Sequence, residues 1–138
     1  MKRYRLFEHT ADLGVQVFGA TINELFVNGA FALFDLLADL DKVRQVVVRN
    51  VTVTGGDLSD LWVNYLRECL YLWNGEGLLL VNYTIVSIDQ KQAATTMGGE
   101  AFDPVRHRIR QEIKAVTYHQ ASVLETLQGW TGKVIFDV

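Results

Sequence analysis

The chain has 138 residues, of which 49% are apolar and 21% charged, with a formal net charge of −3. This length predicts one domain over residues 1–138 with its own core, and the absence of a long apolar run or a signal pattern predicts no membrane span. The negative charge argues against direct, sequence-specific nucleic-acid binding, which relies on concentrated Lys and Arg.

The first forty residues predict two strands followed by a helix. Alternating apolar residues indicate strands at residues 3–9 and 14–20. Residues 21–40 place apolar side chains at three- and four-residue spacing, the periodicity of an amphipathic helix. Thr21 and Glu24 have the spacing of a capping box, so we expect the helix to begin there.

The middle of the chain predicts a further strand and a second helix. Residues 43–54 are rich in β-branched side chains, which favour strands, and residues 57–77 have the spacing of a helix capped by Asp57. This helix contains Cys69, the only cysteine, so the sequence has no disulfide framework and no thiolate metal site. A chain without disulfides is typical of a reducing compartment, most simply the cytoplasm.

The remainder of the chain alternates with a period of two. We expect strands within residues 78–89, 92–103, 110–126 and 129–138, joined by polar turns. Two helices followed by long antiparallel stretches predict an α+β domain, in which the two main helices pack on a mostly antiparallel sheet or sheets.

Four short stretches carry polar groups that a simple folding domain does not need. They are HTADLG at residues 9–14, GGEAFDP at residues 98–104, KAVTYH at residues 114–119, and the final FDV at residues 136–138.

Each of these stretches also has a structural interpretation. Asp12 is a common turn former. Lys114 is suited to protecting an edge strand, and His119 is as often a hydrogen-bonded structural residue as a ligand. Glu100 and Asp103 lie in a turn-rich segment, where we expect solvated carboxylates.

The oxygen donors that remain are Asp12, Asp137 and the α-carboxylate of Val138. Two carboxylates about 4 Å apart repel by roughly 4 kcal/mol at an effective dielectric near 20. A fold that holds them together needs a bound proton, a Lys partner or a divalent cation, and oxygen donors select Mg²⁺, Ca²⁺ or Mn²⁺ over zinc. Spacing alone does not bring Asp12 to Asp137.

In combination, these motifs resemble the archease family. The stretch EHTADLG at residues 8–14, GE.FD at residues 99–103, KAVTYH at residues 114–119 and the final FDV carry the resemblance, which extends over essentially the whole chain.

The resemblance implies a small α+β protein that serves as a chaperone-like cofactor in tRNA splicing. Archeases assist an RtcB-type tRNA ligase, which joins RNA ends after guanylylating its own histidine with GTP and metal ions. The family promotes this guanylylation and multiple turnover without being a ligase. The chain is therefore expected to be no enzyme, and to meet GTP and RNA only through the ligase.

The resemblance also implies which residues act. The family's metal ligands correspond to Asp12 and Asp137, with the Val138 carboxylate nearby, and the cation is Ca²⁺, Mg²⁺ or Mn²⁺. Lys114 is expected to balance the acidic cluster or a phosphate, and His119 to orient a carboxylate. His9 matches either role.

Two other functions remain open at the level of the sequence. A metal-dependent phosphodiesterase or hydrolase would use Asp12, Asp137, His9 and His119 around a metal-activated water. A metal-free interaction module would keep the acidic cluster as a structural feature neutralised by Lys114.

Overall fold

The computed structural model describes residues 2–7 and 11–138. In these ranges the elements run in the order β1 (Tyr4–Phe7), β2 (Leu13–Gly19), α1 (Ile22–Leu37), β3 (Ala38–Asp39), β4 (Val47–Thr54), α2 (Leu58–Asn74), β5 (Leu78–Ile88), β6 (Gln92–Ala101), β7 (Arg108–Ile109), β8 (Ala115–Thr126) and β9 (Gly129–Asp137). The α+β prediction is confirmed. None of the helices in the described ranges combines the length and the apolar character needed to cross a bilayer.

The strands form two main antiparallel sheets. One has the order β1-β2-β9-β8 and the other the order β4-β6-β5, while β3 and β7 form a short ladder of their own. The strand β9 therefore lies inside its sheet, hydrogen-bonded to β2 on one side and to β8 on the other. This position fixes where the last residues of the chain lie.

Both helices begin where the sequence predicts. The Thr21 hydroxyl accepts a hydrogen bond from the amide of Glu24 at 3.1 Å, and the Asp57 carboxylate accepts one from the amide of Asp60 at 2.8 Å. Each bond satisfies one amide that the first helical turn leaves without a backbone partner. Local chemistry is thus sufficient to set the start of each helix.

Two predicted boundaries were wrong because long-range contacts override the local pattern. The helix α1 ends at Leu37 and not at residue 40, since the next two residues extend and pair with β7. The strand predicted over residues 110–126 begins only at Ala115, because the preceding segment lies against the end of α1, where the Arg110 amide donates to the Leu37 carbonyl at 2.8 Å.

The core lies where each helix contacts both sheets. Trp62 of α2 is fully buried and packs against two glycines, Gly29 of α1 and Gly132 of β9. Its indole Nε1 donates to the Lys133 carbonyl at 3.1 Å, which satisfies the only polar atom of this large side chain. Trp62 thus joins α1, α2 and the middle of the four-stranded sheet.

Gly132→Ala tests this contact. A Cβ at Gly132 would lie 2.7 Å from the Trp62 ring, so the indole has to shift, and we expect a loss of about 1–3 kcal/mol in the free energy of unfolding. Urea denaturation measures it. Gly56→Ala is the matched control because a Cβ there lies 3.7 Å from its nearest neighbour, Asp60 Oδ2. Equal stability of the two variants would contradict the packing role of Trp62.

Candidate functional site

The register of β2 and β9 places two predicted ligands at the same end of the sheet. Leu13 pairs with Phe136, Asp12 directly precedes this pair, and Asp137 directly follows it. Asp12 therefore lies at the end of β2 that adjoins the Asp137 end of β9. Phe136 is buried and Asp137 is exposed, so the Asp137 side chain points away from the helical core.

The strand β8 brings Lys114 to the same end of the sheet. Ala115 pairs with Asp137, and the Lys114 amide donates to the Asp137 carbonyl at 2.7 Å. Val138 is half-buried, and its side chain packs against the core, which holds the last residue in place. We call the group formed by Asp12, Lys114, Asp137 and Val138 the acidic end.

The turn before β2 has a strained backbone. Ala11 has a φ of 65°, in the left-handed region that costs a non-glycine residue roughly 1–2 kcal/mol. Such strain is concentrated at functional sites. The nearby Gly14 has a structural role, because the Phe7 ring lies where a Cβ would be, at 2.5 Å. The turn therefore has two constraints next to Asp12: the left-handed backbone at Ala11 and the close packing of Gly14 on Phe7. The predicted site residue His9 lies outside the described residues.

A wide bulge interrupts β8 and carries His119. The ladder with β9 runs to the pair Thr117–Ile135 and resumes at Ser122–Lys133, so residues 118–121 oppose a single residue of β9. His119 is exposed within this bulge. Sheet pairing places Lys114 beside Asp137 and leaves Asp12 one residue before the β2–β9 ladder, and His119 lies outside the regular ladder.

Tyr118 fixes the bulge to α2. Its hydroxyl donates to the Asp60 carboxylate and lies 3.1 Å from the side-chain oxygen of Asn64. The Arg67 guanidinium lies 4.4 Å from the centre of the Tyr118 ring and donates to the Val116 carbonyl at 3.0 Å. The hydrogen bond from Tyr118 holds the pKa of the Asp60 carboxyl below its usual range and raises the pKa of the phenol.

The acidic end fits a hard cation better than a soft one. Its predicted side-chain donors are the carboxylates of Asp12 and Asp137, to which the α-carboxylate predicted at Val138 would add oxygen. Over residues 2–7 and 11–138, no three side chains of His, Cys, Asp or Glu form a group that could hold a metal ion. An ion bound there would need carboxylate and backbone oxygens and water, as Mg²⁺ and Ca²⁺ accept.

A second polar cluster surrounds Glu100, and here the prediction of a solvated carboxylate was wrong. Glu100 is only 7% exposed. Its oxygens accept hydrogen bonds from the Arg106 guanidinium at 2.5 Å and from the Arg44 amide at 2.6 Å, and His107 Nε2 lies 3.2 Å away. The bond from Arg106, followed by that from the Arg44 amide, lowers the pKa of Glu100 to about 2.

The same cluster fixes the turn that follows Glu100. The Asp103 carboxylate accepts from the amide of Val105 at 2.9 Å, and the Asp103 amide donates to His107 Nδ1 at 2.9 Å. Because Nδ1 accepts, the proton of a neutral His107 ring lies on Nε2, which then donates to Glu100. We call residues 103–107, held by Glu100, the braced turn.

The residues of the braced turn were only partly evident from the sequence. The sequence around His107, with arginines at positions 106, 108 and 110, gives no sign of burial, yet the His107 side chain is fully buried. A usable signal is the run E-x-x-D-x-x-R-H from Glu100 to His107, in which acids and bases recur every three residues around a turn. Such a spacing favours closure of a compact ion-paired loop.

Comparison with known proteins identifies relatives along the whole chain. The model of the archease protein family matches residues 4–138. The chain is 35% identical to the protein archease of Pyrococcus furiosus, with 100% of both chains covered, and 34% identical to that of Methanosarcina mazei, with 99% of this chain and 97% of the relative covered.

Solved structures have the same fold. The solution structure of protein 1598 from Methanobacterium thermoautotrophicum is 31% identical, covers 100% of both chains and superposes with a TM-score of 0.82. The crystal structure of a Thermotoga maritima archease, described as a possible chaperone, is 19% identical and superposes with a TM-score of 0.58 over 96% of this chain and 94% of that one.

Glu100→Gln tests the electrostatics of the braced turn. Since the pKa of Glu100 falls from 4.5 to about 2 on folding, the charged group stabilises the native state above its unfolded pKa, and this contribution is lost as the pH falls towards 2. We expect the wild type to lose more stability than the Gln variant between about pH 5 and pH 2. Urea denaturation across this range measures the difference.

The control is Glu125→Gln, which removes an exposed carboxylate of β8. It should leave the pH dependence of stability unchanged. Parallel stability profiles for the wild type and Glu100→Gln would show that Glu100 does not gain its partners on folding.

Proposed function

This chain belongs to the archease family, and we propose that it is a non-catalytic activator of an RtcB-type tRNA ligase. It would promote guanylylation of the ligase's histidine and support multiple turnover in tRNA splicing, acting through a divalent cation held at the acidic end. The description of the Thermotoga maritima relative as a possible chaperone supports a role exerted on another protein.

The observation that carries the proposal is the ladder pair Leu13–Phe136 at the end of β2 and β9, which Asp12 directly precedes and Asp137 directly follows. Adjacent carboxylates on neighbouring strands repel, and an opposite charge has to offset this repulsion. Sheet pairing on both sides of β9 and the packing of Val138 hold the backbone that leads to Asp137. We infer that Asp12 and Asp137 present carboxylate oxygens at this end of the sheet, and such oxygens are the ligands of a hard cation.

Each residue of the acidic end has a role in this proposal. Asp12 and Asp137 hold the cation with the α-carboxylate of Val138, and Lys114 limits the negative charge or meets a phosphate. When bound, the cation would supply charge neutralisation for the triphosphate in the ligase's nucleotide site. His9 and His119 are proposed to orient the carboxylates.

A metal-free interaction module is the second candidate. The observation that favours it is the position of Lys114, whose amide donates to the Asp137 carbonyl at 2.7 Å. On this alternative the Lys114 ammonium neutralises the carboxylates, and the protein acts on its partner through surface contacts alone.

Asp12→Asn and Asp137→Asn should each abolish activation while leaving the fold intact. Both substitutions remove a negative charge and a strong oxygen donor at nearly constant size. The measurement is single-turnover formation of the guanylylated ligase with GTP and a divalent cation. Glu125→Gln is the control, since it removes an exposed carboxylate from the same sheet. Acceleration by Asp12→Asn equal to that of the wild type would overturn the proposed site.

Thermal unfolding with Ca²⁺, Mg²⁺ or Mn²⁺ separates the two candidates. A cation bound at a hundred times its dissociation constant stabilises the native state by about 2.7 kcal/mol. A rise in melting temperature that disappears in Asp137→Asn supports the metal site. Activation of the ligase without any cation-dependent stabilisation supports the metal-free module.

Extension of the chain beyond Val138 should reduce activation strongly. Several added residues convert the α-carboxylate into a peptide group and remove one oxygen anion from the acidic end. Deleting Val138 should also reduce activation by more than its small apolar area explains, because it relocates that carboxylate. Both variants are measured by the same guanylylation assay. Normal activation by the extended chain would contradict the role of the α-carboxylate.

A further inference from the structure

The braced turn displays an apolar residue that is almost entirely exposed. Val105 is 92% exposed and follows Pro104 at the tip of the turn. Single exposed aliphatic residues are common on protein surfaces. This one differs because the backbone around it is fixed: the Val105 amide is bonded to the Asp103 carboxylate, and the amides of Arg106 and His107 are bonded to the Asp103 carbonyl.

A rigid apolar tip is suited to binding another protein. Because its conformation is fixed before a partner binds, association costs little conformational entropy. Glu100 is buried to form this turn, and a buried carboxylate is destabilising unless it is paired. The pairing with Arg106, together with the hydrogen bonds from Arg44 and His107, meets that requirement. The turn is thus held by an extensive polar network although its tip contacts only solvent.

The surroundings of Val105 combine apolar and basic groups. Val46 is 70% exposed, and its amide donates to the Gly99 carbonyl, next to Glu100, at 2.8 Å. Lys42, Arg44 and Arg108 are exposed as well. A hollow of about 440 Å³ beside the turn is lined by Asp39, Lys42 and residues 104–108. Two exposed cations of the hollow, Lys42 and Arg108, outnumber its one carboxylate, Asp39. In a chain with a net charge of −3, this local excess of positive charge is complementary to carboxylates on a partner.

The braced turn and the acidic end both adjoin the C-terminal half of α2. Phe102 packs on Trp73 with ring centres 5.5 Å apart, and the Asn74 amide donates to the Ile113 carbonyl at 3.5 Å. Ile113 directly precedes Lys114 of the acidic end. A single partner protein is therefore able to contact the braced turn while it approaches the acidic end.

We propose that the braced turn is a docking element for the ligase, with Val105 entering an apolar hollow that is rimmed by carboxylates. This inference rests on the proposed function, because the partner is the ligase named there. The basic residues Lys42 and Arg108 would face the carboxylates of the rim, and the turn would supply affinity separately from the carboxylates of the acidic end.

Val105→Glu tests the docking element. A carboxylate at the tip is repelled by an acidic rim and cannot enter an apolar hollow, so we expect the affinity for the ligase to fall by at least about tenfold. Calorimetric titration of the ligase measures it. The concentration of protein that gives half-maximal guanylylation should rise by the same factor. Because Val105 is exposed, the circular dichroism spectrum and the melting temperature should remain those of the wild type.

Leu127→Glu is the matched control. Leu127 is 103% exposed and lies in the turn between β8 and β9, so the substitution places the same charge on another turn. It should leave the affinity for the ligase and the activation unchanged. An equal loss of affinity in Leu127→Glu and Val105→Glu would indicate a general charge effect and overturn the proposal.

The outcomes separate this inference from the proposed function. Activation by the wild type, with unchanged affinity for Val105→Glu, overturns the docking element and leaves the proposed function intact. Failure of the wild type to bind or activate the ligase overturns both. If Lys42→Ala and Arg108→Ala abolish binding of a single-stranded RNA oligonucleotide while Val105→Glu binds the ligase normally, the surface binds nucleic acid and the proposal is wrong.

Discussion

The position of β9 inside the four-stranded sheet is the constraint on which the candidate site depends. Strands at the end of a chain commonly fray, but β9 has hydrogen-bonded neighbours on both sides. Trp62 adds a third attachment, since it packs on Gly132 and donates to the Lys133 carbonyl. The backbone is consequently held like that of a central strand as far as Phe136, and Asp137 itself pairs with Ala115 of β8.

Two polar groups of different character adjoin α2. The acidic end gathers carboxylates at a sheet end and leaves Asp137 exposed, whereas the braced turn buries Glu100 and matches it with cationic and neutral donors. The acidic end thus lies at the surface of a sheet, whereas the braced turn uses its polar groups internally to shape the backbone. In the proposed function, the acidic end would hold the cation and the braced turn would bind the partner protein.

The sequence predicts best what is decided locally. The helix starts at Thr21 and Asp57 follow from side chains that bond amides three residues away. The early end of α1 at Leu37, the bulge that contains His119 and the burial of Glu100 all depend on segments distant in the chain. No spacing rule encodes those contacts. Asp12 and Asp137 are candidate ligands because of the motifs shared with the archease family. Only the pairing of β2 with β9 shows that they lie at the same end of the sheet.

That register also has a consequence for folding kinetics. β2 lies near one end of the described chain and β9 at the other, so their pairing closes one of the largest loops the molecule contains. Contacts of such long sequence separation form slowly, because the entropy of loop closure precedes any gain from pairing. The helices and hairpins can form earlier, whereas the ends of β2 and β9 next to Asp12 and Asp137 adjoin only when this pairing is complete. A partly folded molecule therefore lacks the strand pairing on which the candidate site depends.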